Sequence, residues 1–183
     1  MSGEERTVVA FHKPIGVVTT RSDPAGRVTV YHYLTDLPAD VAPVGRLDRD
    51  TSGLLIVTDD GALSHRLKDP SHGTPKTYHA RVTGIPDDAS LLTLREGIAI
   101  RGGRTTRPAR IRPLGSGRDG TSWHELVLRE GQKRQIRRMF AAIGHDVVEL
   151  MRTRIGAFDL GDLPVGEWRR LSEEETTLLT ASR

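Results

Sequence analysis

A carboxylate between two arginines is the first feature of the sequence that could do chemistry. The stretch GRLDRDTSGLLIVTDDG, residues 45–61, places Asp48 between Arg46 and Arg49. Nearby arginines favour the charged form of a carboxylate. An ionised carboxylate can attack the anomeric carbon of a sugar or act as a base. Glycoside hydrolysis normally needs a second carboxylate at a set distance, and sequence spacing does not show whether Asp50 is such a group.

The same stretch also fits a calcium-binding loop in part. The loop positions 1, 3, 5, 6 and 12 would be filled by Asp48, Asp50, Ser52, Gly53 and Asp59. Such a loop is entered from a helix, whereas prolines and a glycine precede this one, and a cation would occupy its second position. These departures argue against calcium, and we expect no metal site. A purely structural alternative is that Asp48 only pairs with an arginine while Asp50 caps a turn.

The residues that follow Asp48 predict the element that positions it. Leu54–Thr58 is an apolar run typical of a buried strand, so Asp48 would lie in the loop that enters it. The other strands predicted from alternation and turn signals are Val8–Lys13, KTYHARVTG, Ile98–Ile100, Ala109–Leu114, SWHELVLRE and HDVVELMRTRIG. Helices are predicted at Val28–Leu34, GALSHRLKDP, Asp87–Glu96 and after LPVGEWRRLS.

The clearest helix is amphipathic and basic. Its apolar stripe has helical spacing and consists of Ile136, Met139, Phe140 and Ile143. Lys133 and Arg137, and likewise Arg134 and Arg138, are one turn apart and lie off that stripe. Gly144 predicts the end of the helix.

Strand–helix–strand units alternate with hairpin-length gaps, which favours an α+β fold with a mixed, mainly antiparallel sheet flanked by helices. We expect one catalytic domain over residues 1–183 with two lobes, approximately 1–72 and 73–183, around a central cleft. The region Pro70–Pro75 is the best candidate for the lobe boundary.

Composition limits the class of protein. The 183 residues include no cysteine, which excludes disulfides, thiolate zinc sites and cysteine nucleophiles. There is no apolar run long enough for a membrane span and no secretory signal is visible, so we expect a cytoplasmic protein without a membrane partner. The net charge is only +3, but the bases are segregated: RGGRTTRPARIR, residues 101–112, holds five arginines and no acid. A local positive field of this kind predicts a nucleic-acid partner.

Several blocks together resemble a known family. The stretch around Asp48 resembles the catalytic motif of the pseudouridine synthases, in the branch that modifies bacterial ribosomal RNA. Further blocks resemble the same family in the same order, namely FHKPIGVV, KTYHARVTG, REGQKRQIRRMFAAIGHDVVELMRTRIG and LPVGEWRRL. Many relatives in this branch carry an N-terminal RNA-binding module of the S4 type, for which this chain has no room. It is therefore most similar to the short, E-type large-subunit members that lack the S4 domain.

The resemblance implies isomerisation of uridine to pseudouridine in RNA, a reaction that needs no cofactor or metal. Asp48 would be the catalytic carboxylate, either attacking C1′ or removing a proton from C2′. Arg137 would be its charged partner, and Tyr78 would stack on the extruded uracil and accept the C5 proton. Leu150 could form an apolar wall of the base pocket, or could simply pack in the core.

RNA contacts are expected from basic and polar side chains, and the partner from the resemblance is ribosomal RNA, with the large-subunit RNA favoured. The remaining residues predicted to bind substrate are Lys13, Arg46, Lys76, Arg104, Arg107, Arg134 and Gln135. A monomer is expected from the modest size. The alternative function is a catalytically inactive module for RNA binding or ribosome assembly on the same fold. The sequence does not identify the uridine or choose between the two routes for Asp48.

Overall fold

The computed structural model describes residues 6–181. Its elements, in chain order, are β1 (Val8–Lys13), a 3-10 turn (Val30–His32), β2 (Ala42–Pro43), β3 (Ser52–Thr58), α1 (Gly61–Lys68), β4 (Lys76–Thr83), α2 (Asp88–Glu96), β5 (Arg110–Ser116), β6 (Thr121–Leu128), α3 (Gln135–Ala142), β7 (Val147–Ile155), β8 (Phe158–Asp159), β9 (Trp168–Arg170) and α4 (Glu173–Leu178). The paired strands with recorded registers are antiparallel, which confirms the α+β class with a mainly antiparallel sheet. Between residues 6 and 181, no helix is long and apolar enough to cross a membrane.

The chain divides into two compact units. The first comprises the described residues up to Thr74 together with those from Thr153 onwards, and the second comprises Pro75–Arg152. The first division falls inside the predicted Pro70–Pro75 boundary. The sequence pattern assigned residues 73–183 to a single second lobe, whereas the residues after Arg152 are grouped with the first unit. The physical reason is that β9 pairs with β1, so the end of the chain returns to the strand at its beginning.

In the first unit, β1 is the middle strand of β3–β1–β9. It pairs with β3 from Val8 opposite Thr58 to Lys13 opposite Gly53. Alternate residues of both strands face two different apolar clusters, one containing Leu54 and Ile56 and the other Leu55 and Val57. The continuous apolar run of β3 therefore exists because the strand is covered on both faces. Such a strand gives the preceding loop a fixed base.

In the second unit, β6 lies between β5 and β4, and β7 is the neighbour of β4 on its other side. One cluster forms the core of this unit, with residues from β4, α2, β6, α3 and β7. Helix α3 contributes Ile136, Met139 and Phe140, which are the buried members of the predicted stripe. Asp87 caps α2 by accepting a hydrogen bond from the Ser90 backbone N–H, as helix N-caps do.

Two predicted elements are wrong in type. Val28–Leu34 is not an α-helix; only Val30–His32 forms a 3-10 turn after the N-cap Thr29. Ile98–Ile100 is not a strand. Its backbone instead closes a turn, since Thr106 N donates to Ile98 O at 2.9 Å and Ile98 N donates to Thr106 Oγ1 at 3.0 Å. A local hydroxyl partner here satisfies backbone groups that a strand would have paired with a neighbour.

Candidate active site

Asp48 lies in a loop whose neighbouring residues are anchored. Leu47 is buried, and the Thr19 hydroxyl donates to Leu47 O at 2.9 Å and accepts from Leu47 N at 3.3 Å. On the other side, the N–H of buried Thr51 donates to Asp48 O at 3.0 Å. Between these two anchors the Asp48 side chain is exposed. The loop therefore presents one carboxylate to solvent from a fixed backbone, which suits a nucleophile or a base.

Lys13, the last residue of β1, has no exposed surface. Its ammonium donates at 2.8 Å to Pro14 O and at 2.8 Å to Val17 O. Burial lowers the pKa of Lys13 to about 8, against the opposing attraction of Asp48 and Asp50. Lys13 has no exposed surface in this conformation, and its predicted contact with RNA phosphate stays a prediction. Its charge interacts with the charges of Asp48 and Asp50.

The two arginines beside Asp48 have separate surroundings. Arg49 Nε donates to Gly16 O at 3.4 Å, and Gly16 N donates to Arg49 O at 2.8 Å, so this arginine joins the loop to the turn after β1. Arg46 is exposed, as a phosphate contact requires. Among residues 6–181, no hydrogen bond or ion pair engages the Arg46 side chain.

In the second unit, Tyr78 and Leu150 belong to one apolar environment. Leu150 is 6% exposed within the core cluster, and half-buried Tyr78 packs against that cluster. Lys76 precedes Tyr78 on β4 and is half-buried. Burial, together with the nearby charge of Arg152, lowers the pKa of Lys76 to about 8. An ammonium of this kind changes charge close to neutral pH.

Helix α3 carries the other predicted residues of the basic block. Arg137 is half-buried, and its Nη1 donates to Val147 O at 3.2 Å. Arg134 stands at the N-cap with a left-handed φ of 53°, the one positive φ outside glycine in the described chain. Such a backbone is uncommon for a residue with a side chain, and it turns the chain abruptly into the helix. The Arg134 side chain is exposed.

Gln135 is buried at 4% exposure, and its side-chain amide accepts from Gln132 N at 2.9 Å and donates to Glu130 Oε1 at 2.8 Å. Both ends of its amide are thus used inside the protein, and its predicted role in RNA binding stays a prediction. Arg104 and Arg107 are exposed, as predicted, in the turn before β5.

The structure thus groups the predicted residues within each unit. In the first unit, Lys13, Arg46 and Asp48 share the loop region. In the second unit, Tyr78 and Leu150 share the core, while Arg104 and Arg107 lie on the turn that Gln135 helps to hold. Sequence reasoning missed Asp50 as a second carboxylate whose charge acts on Lys13. It also missed Gln132 and Glu130, which accept hydrogen bonds from the backbone of Arg104 and Arg107. The three-residue spacing between Gln132 and Gln135 was the sequence signal that could have pointed to these two residues. Within the described part of the chain, no cluster of three or more histidines and carboxylates could hold a metal ion.

The class of enzyme is given by comparison with known proteins. The family model described as RNA pseudouridylate synthase matches residues 7–142. The chain belongs to this family and is an isomerase. This confirms the resemblance and the enzyme class predicted from the sequence.

Individual relatives agree with this assignment. One is the "Ribosomal large subunit pseudouridine synthase B" of Bacillus subtilis, 39% identical over 179 residues that cover 97% of this chain and 73% of the relative. Another is the "Ribosomal large subunit pseudouridine synthase E" of Xanthomonas campestris pv. campestris, 41% identical over 179 residues that cover 88% of this chain and 94% of the relative. A solved structure described as a pseudouridylate synthase superimposes with a TM-score of 0.84 at 34% identity, covering 97% of this chain and 75% of that one.

Proposed function

We propose that this protein converts a specific uridine of large-subunit ribosomal RNA into pseudouridine, with Asp48 as the catalytic carboxylate. The names of the two relatives support this substrate class. The observation that carries the role of Asp48 is its position: an exposed carboxylate on an anchored loop, attracted by the charge of buried Lys13.

The chemistry is balanced without any added reagent. The bond between N1 of uracil and C1′ of ribose breaks, the base rotates, and a bond forms between C5 and C1′. N1 gains one proton and C5 loses one, so the product is an isomer of the substrate. Asp48 acts either by attacking C1′ and being displaced by C5, or by taking a proton from C2′ and returning it. No metal or cofactor has a role in this scheme.

Tyr78 and Arg137 are proposed to complete the catalytic set, in the roles that the family resemblance implies. Tyr78 stacks on the flipped uracil and accepts the C5 proton, and Arg137 keeps the catalytic carboxylate charged. Leu150 is proposed to support the apolar wall of the base pocket. Flipping a uracil from folded RNA costs a few kcal/mol, which phosphate contacts offset. The contacts proposed for that purpose come from Arg46, Lys76, Arg104, Arg107 and Arg134.

We further propose that residues 1–183 act as one catalytic domain, as a monomer, in the cytoplasm where ribosomes are made. A sedimentation measurement of the free protein tests the oligomeric state: a single species of the chain mass of 20.2 kDa is expected, and a stable dimer contradicts it.

The activity is tested on ribosomal RNA from a strain that lacks the modification. RNA is incubated with the wild type, with Asp48→Asn, and with Asp50→Asn as the matched control from the same loop. Pseudouridine is then mapped by primer extension after carbodiimide treatment. We expect one new stop in large-subunit RNA with the wild type and with Asp50→Asn, and none with Asp48→Asn. No stop in any RNA with the wild type contradicts the function, and an equal stop with Asp48→Asn contradicts the catalytic role.

A further inference from the structure

The segment Arg101–Arg107, named here the arginine turn, carries exposed guanidinium groups. Its arginines are all exposed, and within residues 6–181 no carboxylate pairs with their guanidinium groups. Several arginines elsewhere do pair with carboxylates, as in Arg27–Asp23, Arg81–Asp119, Arg112–Glu125, Arg154–Asp159 and Arg169–Glu175. The arginine turn therefore holds a local positive charge that no ion pair neutralises.

The backbone of the arginine turn is nevertheless fixed, because the Gln132 side chain hydrogen-bonds to both the N–H and the C=O of Arg104. The Arg104 backbone N–H donates to Gln132 Oε1 at 2.8 Å, and Gln132 Nε2 donates to Arg104 O at 3.2 Å. The side-chain amide thus pairs with the main chain as a neighbouring strand would. Arg104 is held through its backbone, and its guanidinium takes no part in the attachment.

Two further residues extend this contact into a ring of hydrogen bonds. Gln132 N donates to Gln135 Oε1 at 2.9 Å, and Gln135 Nε2 donates to Glu130 Oε1 at 2.8 Å. The same oxygen of Glu130 accepts from the Arg107 backbone N–H at 2.7 Å. Because Gln135 is buried at the start of α3, the ring ties the arginine turn to the core of the second unit.

Glycines allow the close approach that this attachment needs. A Cβ atom on Gly103 would stand 2.9 Å from Gln132 Oε1 and 2.8 Å from a side-chain carbon of Ile100, which is closer than real Cβ contacts. Gly102 has a φ of 70°, and its carbonyl oxygen accepts from Arg138 Nη1 at 3.2 Å. The segment is therefore built for one conformation, against both the Gln132 side chain and α3.

We propose that the arginine turn is a preformed surface for the RNA phosphate backbone, in which Arg101, Arg104 and Arg107 are the contacts and Gln132, Gln135 and Glu130 are the positioning residues. The inference rests on the proposed function, since it takes RNA to be the substrate. It adds that this surface supplies affinity independent of base sequence. Base recognition is assigned to the proposed catalytic residues instead.

The chemistry of the surface favours phosphate over an acidic protein. Guanidinium groups bind phosphate oxygens through paired hydrogen bonds, and a fixed backbone limits the entropy lost when they do so. No large apolar side chain is exposed within the arginine turn to form the buried centre that protein interfaces have. A surface of charge alone matches a partner that presents a regular row of charges, which is the property of RNA.

The test measures binding rather than turnover, so that it remains informative if the proposed reaction is absent. The variant Arg101→Gln/Arg104→Gln/Arg107→Gln is compared with Arg66→Gln/Lys68→Gln/Arg118→Gln, which removes three exposed positive charges elsewhere and has the same net charge. Binding of two fluorescein-labelled RNA stem-loops of unrelated sequence is followed by anisotropy between about 50 and about 200 mM KCl. Far-ultraviolet circular dichroism and a thermal melt show whether each variant is folded.

Each phosphate contact contributes about 0.7 to 0.9 to the slope of log affinity against log salt, so three lost contacts reduce that slope by about 2.1 to 2.7. Over the fourfold salt range the wild type then loses about 18- to 42-fold more affinity than the arginine-turn variant. The control triple variant should keep a slope close to that of the wild type. Equal slopes for the two triple variants would overturn the proposal. It would also be overturned if polyglutamate, at matched charge, competed for the protein as well as unlabelled RNA does.

A second variant tests the positioning role without changing any charge. Gln132→Ala keeps every arginine but removes both amide contacts to the Arg104 backbone. We expect a several-fold weaker affinity for both stem-loops. Gln132→Asn should not restore the affinity, because its shorter side chain does not reach the Arg104 backbone. Binding by Gln132→Ala that equals the wild type would show that fixed geometry is not needed, and would overturn the positioning part.

Discussion

Replacement of Lys13 by methionine gives a quantitative test of the buried ammonium, whose charge interacts with those of Asp48 and Asp50. Methionine has similar length and no charge. In the wild type, the ammonium donates to Pro14 O and Val17 O and has a pKa of about 8, compared with 10.5 for an exposed lysine. Lys13→Met therefore removes two hydrogen bonds and also removes the penalty of burying a charge.

At neutral pH these two effects oppose each other. Leaving two buried carbonyl acceptors without donors costs about 1 to 3 kcal/mol each. The lowered pKa, from 10.5 to about 8, corresponds to a burial penalty of about 3 kcal/mol, which the variant no longer carries. The net change in the free energy of unfolding at about pH 7 is thus small or modestly destabilising. The pH dependence is a sharper measurement, because only the charge contributes to it.

The sign follows from proton binding. Between pH 8 and pH 10.5 the unfolded lysine is still protonated while the folded lysine is not, so the unfolded state binds more protons and stability rises with pH. From about pH 7 to about pH 9.5, the wild type should gain about 2 kcal/mol of unfolding free energy relative to Lys13→Met. Lys76 titrates in the same range, but it is present in both proteins and cancels in the difference.

Urea denaturation of the two proteins, followed by circular dichroism at several pH values in that interval, measures this difference. Lys13→Arg provides a control that keeps a positive charge throughout the interval. If the wild type and Lys13→Met show parallel stability curves, then Lys13 does not titrate with a lowered pKa. The description of Lys13 as a buried charge would then be wrong.

Three further predictions concern the second unit. Lys76→Arg should flatten the decline in RNA affinity between about pH 7.5 and about pH 9, because arginine stays charged where a lysine of pKa about 8 does not. Fluorescence anisotropy measures this affinity, and a decline identical to that of the wild type excludes Lys76 as an RNA contact. Gly97→Ala should lower the unfolding free energy by about 1 to 3 kcal/mol, because Gly97 has a φ of 112° and a Cβ atom would collide with the Thr106 carbonyl. An unchanged midpoint of urea denaturation would refute this. Leu150→Ala should cost about 2 to 4 kcal/mol in thermal denaturation, whereas Leu92→Ala, at an exposed position, should cost less than about 0.5 kcal/mol; equal losses would contradict the core assignment.

Sequence reasoning succeeded where a local pattern matches a local environment. The run Leu54–Thr58 predicts a strand buried on both faces, and β3 has that environment. The stripe beginning at Ile136 predicts α3, with Gly144 just beyond its end at a φ of 84°. In both places the periodicity of apolar residues is a direct record of which faces are covered.

The surroundings that sequence reasoning did not foresee involve partners that are distant in sequence or are backbone atoms. In sequence, Lys13 resembles a surface cation, and nothing adjacent shows that it donates to two carbonyl groups or interacts with the charges of two aspartates. Gln135 has the appearance of one more polar residue in a basic block, but its amide is used by Gln132 and Glu130. Hydrogen bonds of this kind depend on chain geometry that periodicity does not encode, so their positions could not be predicted.

The attachment of the arginine turn through main-chain atoms separates what the segment recognises from what keeps it folded. Its hydrogen bonds to Gln132 and Glu130 would be the same for many side chains at positions 104 and 107. Substitutions there would alter the charge shown to a partner at little cost in stability, so charge and fold can change independently in this short segment. A designer could exchange it in the same way to redirect the enzyme toward a differently shaped RNA.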